Sequence, residues 1–259
     1  MTNPFFPELI EALEKEARQC GYVTLLISSN RDASVERQSF DLMLQHGVDG
    51  VIWCPDDPYF QPTNLPFPMV VIDRPLDAFD SVSADHYAGG MRQGRFAIEQ
   101  GHIRIGVLKG PQNFVNAKQR YEGLIAGLGA IEPVWQFEVP FSFAIALPPE
   151  VAEAFRAADA SLIVAVNDVV AIAALRTLRE FGRRVPDEVS LIGFDDTPWA
   201  LLVHPSLTTI RQPVADLATS AVKMLVARIN TPTRKIKHVT RPVELVVRHS
   251  TAERRRSAA

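Results

Sequence analysis

The sequence has little cysteine, no long apolar run and no surplus of positive charge. Its two cysteines, Cys20 and Cys54, fit a reducing compartment, with a single bridge left open by sequence alone. No stretch approaches membrane-spanning length, and Met1 is not followed by a basic and then an apolar leader segment. A cytoplasmic protein without a membrane partner is therefore expected. The net charge of −3 gives no basic footprint of a nucleic-acid-binding domain. Six histidines, His46, His86, His102, His204, His238 and His249, show no metal-ligand spacing and read as surface or capping residues. No phosphate loop or nucleophile–base pair accompanies Asp73 or Asp195-Asp196. No cofactor, no metal and no enzymatic activity are expected.

A strand before the first helix is also lacking. Asn3 is a good N-cap and Pro4 suits the first turn, so a helix over about Pro4–Gln19 starts almost at once. That leaves only Met1 and Thr2 for a first strand, and the expectation is a truncated chain or a start placed too late.

What is present is alternation. At 259 residues, with 47% hydrophobic and 22% charged, the chain suffices for two lobes with a sizeable core. Strands are expected at Tyr22–Ser28, Gly50–Trp53, Met69–Asp73, Ser81–Ala84, Ile105–Leu108, Trp135–Val139, Leu162–Val166 and Ser190–Phe194. Helices fall between them at Val35–His46, Ala88–Gln100, Ala117–Gly127, Pro149–Ala157 and Asp168–Phe181. Such an order predicts an α/β fold of parallel sheets flanked by helices, and two sets of units suggest two lobes. Ligands of open α/β sheets bind at the carboxyl ends of strands.

Several polar groups fall at such ends. Asp73-Arg74 follows Val70-Val71-Ile72, Asn167-Asp168 opens a helix after Leu162–Val166, and Asp195-Asp196 ends Ser190–Phe194. Arg120 lies early in a helix, and Gln212 follows Thr208-Thr209-Ile210-Arg211. Each alone reads as a cap or an ion pair. Together with the aromatic pair Phe5-Phe6 they supply carboxylates, a guanidinium, carboxamides and ring faces, the mixture that a sugar's hydroxyls and C–H face require.

These residues carry a resemblance. Asn3-Pro4-Phe5-Phe6, Gly47-Val48-Asp49-Gly50-Val51-Ile52, Val71-Ile72-Asp73-Arg74, Gly89-Gly90, Gln119-Arg120-Tyr121-Glu122-Gly123 and Asn167-Asp168 follow one another in characteristic order. Val185–Asp196 and Pro205–Pro213 are the most specific stretches. Nearly the whole chain resembles the effector-binding region of LacI/GalR-type transcription regulators, which share the two-lobed periplasmic-binding-protein-like fold. The resemblance implies an N-terminal lobe of residues 1–101 and 212–240 and a C-terminal lobe of 102–211 and 241–259. It places the last helix, about Val214–Ile229, in the N-terminal lobe, and the lacking first strand between Tyr22–Ser28 and Gly50–Trp53.

The ligand set is similar to that of ribose-type sensors. It implies that Asn3, Phe5, Phe6, Asp73, Arg74, Arg120, Phe141, Asn167, Asp195 and Gln212 contact the ligand, with Phe143 an alternative to Phe141. His86 stands where the family usually has Asn. The expected effector is a monosaccharide or derivative, and the expected assembly is a homodimer using helices near Val35–His46 and Ala88–Gln100 or C-terminal-lobe counterparts. Operator DNA would be contacted only through a helix-turn-helix domain that these residues do not contain. The alternative function is sugar binding for a transport system.

Overall fold

A computed structural model describes residues 3–29, 32–57, 59–141, 147–157 and 159–254. In chain order the elements are α1 (Phe5–Gln19), α2 (Ala33–Gln45), β1 (Val51–Trp53), β2 (Met69–Ile72), β3 (Asp80–Ala84), α3 (His86–Glu99), β4 (Ile105–Lys109), α4 (Val115–Leu128) and β5 (Trp135–Glu138). They continue with α5 (Pro149–Ala157), β6 (Leu162–Ala165), α6 (Asp168–Glu180), β7 (Ser190–Asp195), α7 (Pro198–Leu202), β8 (Thr208–Arg211), α8 (Val214–Asn230), β9 (His238–Arg241) and β10 (Glu244–Val246).

The chain divides into two compact units. The first holds Phe6–Ala84 and Pro213–Arg241, the second Asp85–Gln212 with Thr2–Phe5 and Pro242–Ala259. The first division therefore falls before α3, not near Gly101 as the sequence suggested. Helix–helix packing is the reason. A Cβ on Gly90 would overlap the carbonyl oxygen of Arg120, and one on Gly123 would overlap that of Tyr87. Small residues let the backbones of α3 and α4 touch, which commits α3 to the unit that contains α4.

The first unit carries a four-stranded parallel sheet in the order β1-β2-β3-β9, contacted along its width by α8. Phe40 of α2 packs with Val51, Trp53, Phe67, Met69 and Val71 to form its core. The strand expected at Tyr22–Ser28 is not formed. Residues 22–29 carry no strand assignment, Val23 is 99% exposed and Leu25 and Leu26 are each 53% exposed. Among the described strands β1 pairs only with β2. A strand exists through its ladder, so an apolar segment with suitable propensity but no pairing partner stays without one.

The second unit carries a six-stranded sheet in the order β10-β8-β7-β6-β4-β5. Its strands are parallel except β10, which pairs antiparallel with β8 at the edge. Side chains alternate between its faces, as a period of two requires. Leu162 and Val164 join Ile105, Val107, Phe96 and Leu124 on the face covered by α3 and α4. Ile163 and Ala165 join Leu108, Phe155, Val170 and Leu175 on the other, toward α5 and α6. Cys20 and Cys54 are free thiols. Burial pushes the Cys54 thiol up to about 12, which favours the protonated thiol at neutral pH. Among the described residues no helix is long and apolar enough to cross a membrane.

Candidate functional site

In the second unit, strand register assembles the polar groups. Val164 pairs with Ile192 and Asp195 with Arg211 in parallel ladders. Asn167, Asp195 and Gln212 thus end up at the carboxyl ends of three neighbouring strands, β6, β7 and β8. Asp195 has φ +118°, a region that side-chain-bearing residues rarely adopt, and Asp196 follows at φ +58°. Such strain persists only where the surroundings hold it, and it gathers at ligand sites.

Asp195 is the hub. Gln212 Nε2 donates to its Oδ1 at 2.8 Å, and Asn3 Nδ2 donates to its Oδ2 at 3.3 Å. Arg120 Nη1 lies 3.3 Å from Oδ1 and donates to the Val166 carbonyl at 2.8 Å. The Arg120 guanidinium also lies over the Phe194 ring, 3.8 Å from its centroid. Asn3 caps α1, its Oδ1 accepting from Phe5 N at 3.0 Å. Asn167 caps α6 by accepting from Val170 N at 2.9 Å. All five polar residues are buried. Asn167 Nδ2 and Gln212 Oε1 have no hydrogen-bond partner among the described residues. One spare donor and one spare acceptor, each costing about 1–3 kcal/mol while unmet, are what a ligand hydroxyl satisfies.

The other members of the expected set are placed differently. Phe5 is buried in the same unit as Asp195. Phe141 follows β5, its ring 6.0 Å from that of Phe114, and packs against the α5–α6 core. Phe143 falls outside the described residues. Phe6, Asp73 and Arg74 belong to the first unit. There Asp73, at φ +67°, and Arg74 follow β2 and are both buried. Arg74 donates to the Pro55 carbonyl and, at 3.4 Å, to Asp56 Oδ1. Glu36 fixes the loop after β1 by accepting from Trp53 Nε1, Asp56 N and Asp57 N at 2.7–3.0 Å.

Asp168, beside Asn167, is fully buried. It accepts from Thr197 N at 2.7 Å, and its Oδ1 lies 2.5 Å from the Thr209 hydroxyl. Burial first, and then the Asp195 charge, push its carboxyl well above the usual carboxylate range. The folded protein therefore keeps a proton that the unfolded chain releases above about pH 4. Its contribution to stability is greatest below that point and is lost as pH rises toward the folded value. Asp168→Asn cannot release a proton. In urea titrations from about pH 4 to about pH 8, wild type should lose stability relative to this variant as pH rises. A difference that does not change with pH would contradict the raised carboxyl.

Sequence reasoning missed His86 and Phe194 as parts of this cluster, and it misplaced two histidines. His86 and His102 are buried, not surface residues. His102 lies between Ser161 Oγ, 3.0 Å from Nδ1, and the Ala252 carbonyl, 3.1 Å from Nε2, and burial lowers its pKa. Neither histidine has a local signature, because Ser161 and Arg120 are distant in sequence. The one local signal for His86 was its place directly after the cap Asp85.

A parallel α/β sheet with a hub of buried polar residues at its strand ends defines a periplasmic-binding-protein-like ligand domain, and the family of that description matches residues 95–251. Over 255 residues the chain is 32% identical to the ribose operon repressor of Halalkalibacterium halodurans, covering 97% of this chain and 77% of that protein. It is 30% identical to the ribose operon repressor of Bacillus subtilis, covering 97% and 78%. Among solved structures, a LacI-type regulator of Alkaliphilus metalliredigens complexed with D-xylulofuranose is 28% identical, with a TM-score of 0.88 over 97% of this chain and 96% of that one. A LacI-family regulator of Enterococcus faecium with bound ribose is 26% identical, with a TM-score of 0.85 over 98% and 96%. The chain belongs to the LacI family of transcription regulators and comprises the effector-binding region of that family. These relatives are regulators, which favours this role over transport.

Proposed function

We propose that the effector is a monosaccharide or a close derivative, bound at the Asp195 hub, and that the chain senses it without catalysing a reaction. The unmet Asn167 Nδ2 and Gln212 Oε1 beside Asp195 and Arg120 carry this reading. The ribose operon repressors and the pentose-bound relatives support a pentose. Asn3, Phe5, Phe6, Asp73, Arg74 and Phe141 complete the contact set that the family resemblance implies. The regulator works in the cytoplasm as a two-fold dimer and reads operator DNA through a helix-turn-helix domain. The helices near Val35–His46 and Ala88–Gln100, or their counterparts in the other lobe, would supply part of the dimer surface.

A thermal-shift panel of pentoses, hexoses and their phosphates tests the reading. A sugar at a hundredfold excess over its Kd should add about 2.7 kcal/mol and raise Tm by about 5–10 °C. If no sugar or sugar phosphate moves Tm, the effector class is wrong. In sedimentation at high micromolar concentration the same protein should run as a dimer, and a monomer would remove the pairing.

A further inference from the structure

We propose that His86 is a positioning residue of the effector site, holding the Arg120 guanidinium in one orientation by accepting its Nε–H. The consequence for binding rests on the effector reading above; the geometry does not. His86 opens α3, directly after Asp85, whose side chain caps that helix by accepting from Ala88 N at 2.9 Å. Its ring is completely buried, 6.0 Å from that of Phe194. Its Nδ1 lies 3.3 Å from Arg120 Nε.

A guanidinium nitrogen only donates. Nδ1 must therefore keep its lone pair, which makes His86 neutral with its proton on Nε2. Arg120 is then held from three sides and one face. Its Nε meets His86, its Nη1 meets Val166 O and Asp195 Oδ1, and its plane lies on Phe194. Among the described residues Nη2 makes no hydrogen bond or ion pair. Two fixed N–H bonds therefore remain for a ligand oxygen, already aimed before it arrives. Pre-set donors of this kind strengthen binding because little orientational freedom is lost when the ligand docks. Without an acceptor at position 86, the Nε–H loses its buried partner and the fork is no longer held in place. An Asn or Gln side chain would also offer one acceptor oxygen there, so an acceptor, not an imidazole as such, is what the contact requires.

Three substitutions in the 259-residue chain test this, with D-ribose as the titrant in calorimetry. His86→Leu should weaken ribose binding by about tenfold or more, while His86→Asn or His86→Gln should stay within about threefold of wild type. Long-range nitrogen–proton correlation spectra of the sugar-free wild type should show His86 protonated at Nε2 and bare at Nδ1. A proton on Nδ1, in the other tautomer or in the imidazolium, would overturn the proposal. So would His86→Leu binding ribose as tightly as wild type. The spectra need neither the sugar nor a variant that folds, so they judge the Arg120 contact alone. Failure of every sugar to bind would instead remove the effector reading.

Discussion

Asp195→Ala should abolish sugar binding and also weaken the fold. Asp195 carries the charge opposite Arg120 and accepts from Gln212 and Asn3, three residues drawn from distant parts of the chain. Its truncation leaves Arg120, itself buried, with a carbonyl, an imidazole and a ring face as its partners among the described residues. Breaking a buried pair from one side costs about 3–5 kcal/mol, because the surviving charge stays desolvated. The amides of Gln212 and Asn3 would also lose the acceptor that orients them. A hydrogen bond to a charged group contributes about 1.5–3 kcal/mol, so the loss in affinity should exceed about a hundredfold once the freed neighbours reorient. Titration calorimetry with the sugar identified by thermal shift reads the effect. Asp195→Asn keeps the shape and serves if the Ala variant does not fold. It should still lose more than about tenfold. Wild-type affinity in either variant would remove Asp195 from the site.

Asp80→Ala should produce the largest loss of stability in the first unit. Asp80 is fully buried at the start of β3 and takes both Nε and Nη2 of Arg228 at 2.9 Å. It also accepts from Lys237 N at 2.7 Å. Arg228 reaches in turn the carbonyls of Pro232, Arg234 and Lys235, so one ion pair ties the end of α8 to the turn that leads into β9. Removing the carboxylate strands a nearly buried guanidinium and a backbone N–H, at a cost of about 3–5 kcal/mol. Chemical denaturation should show a lower midpoint. An unfolding free energy within about 0.5 kcal/mol of wild type would mean that the pair is solvated and carries little, as exposed pairs do.

The parts of this protein legible in its sequence are those with local causes. Strand and helix order followed from apolar runs of period two and faces of period 3.6, closed by glycine and capped by Asp or Asn. The placement of Asn167, Asp195 and Gln212 at the carboxyl ends of strands followed from the same pattern, because a polar residue just after an apolar run marks where the strand stops. That Asp195 would gather Asn3, Arg120 and Gln212 had no local cause. Those partners meet only when β6, β7 and β8 pair side by side and α4 packs on them. Pairing also decided against Tyr22–Ser28, whose propensity suits a strand but whose backbone finds no ladder.

Burial by distant elements decided His86, which local sequence casts as one more capping histidine and which α4 and β7 enclose instead. The same holds for α3, whose glycines are ordinary helix residues until α4 lies against them. Sequence by itself determined which segments form elements and which chemistry waits at their ends, since both depend on residues a few positions apart. Only tertiary structure decided who meets whom, since partners up to 192 residues apart are joined by packing, which no short-range pattern encodes.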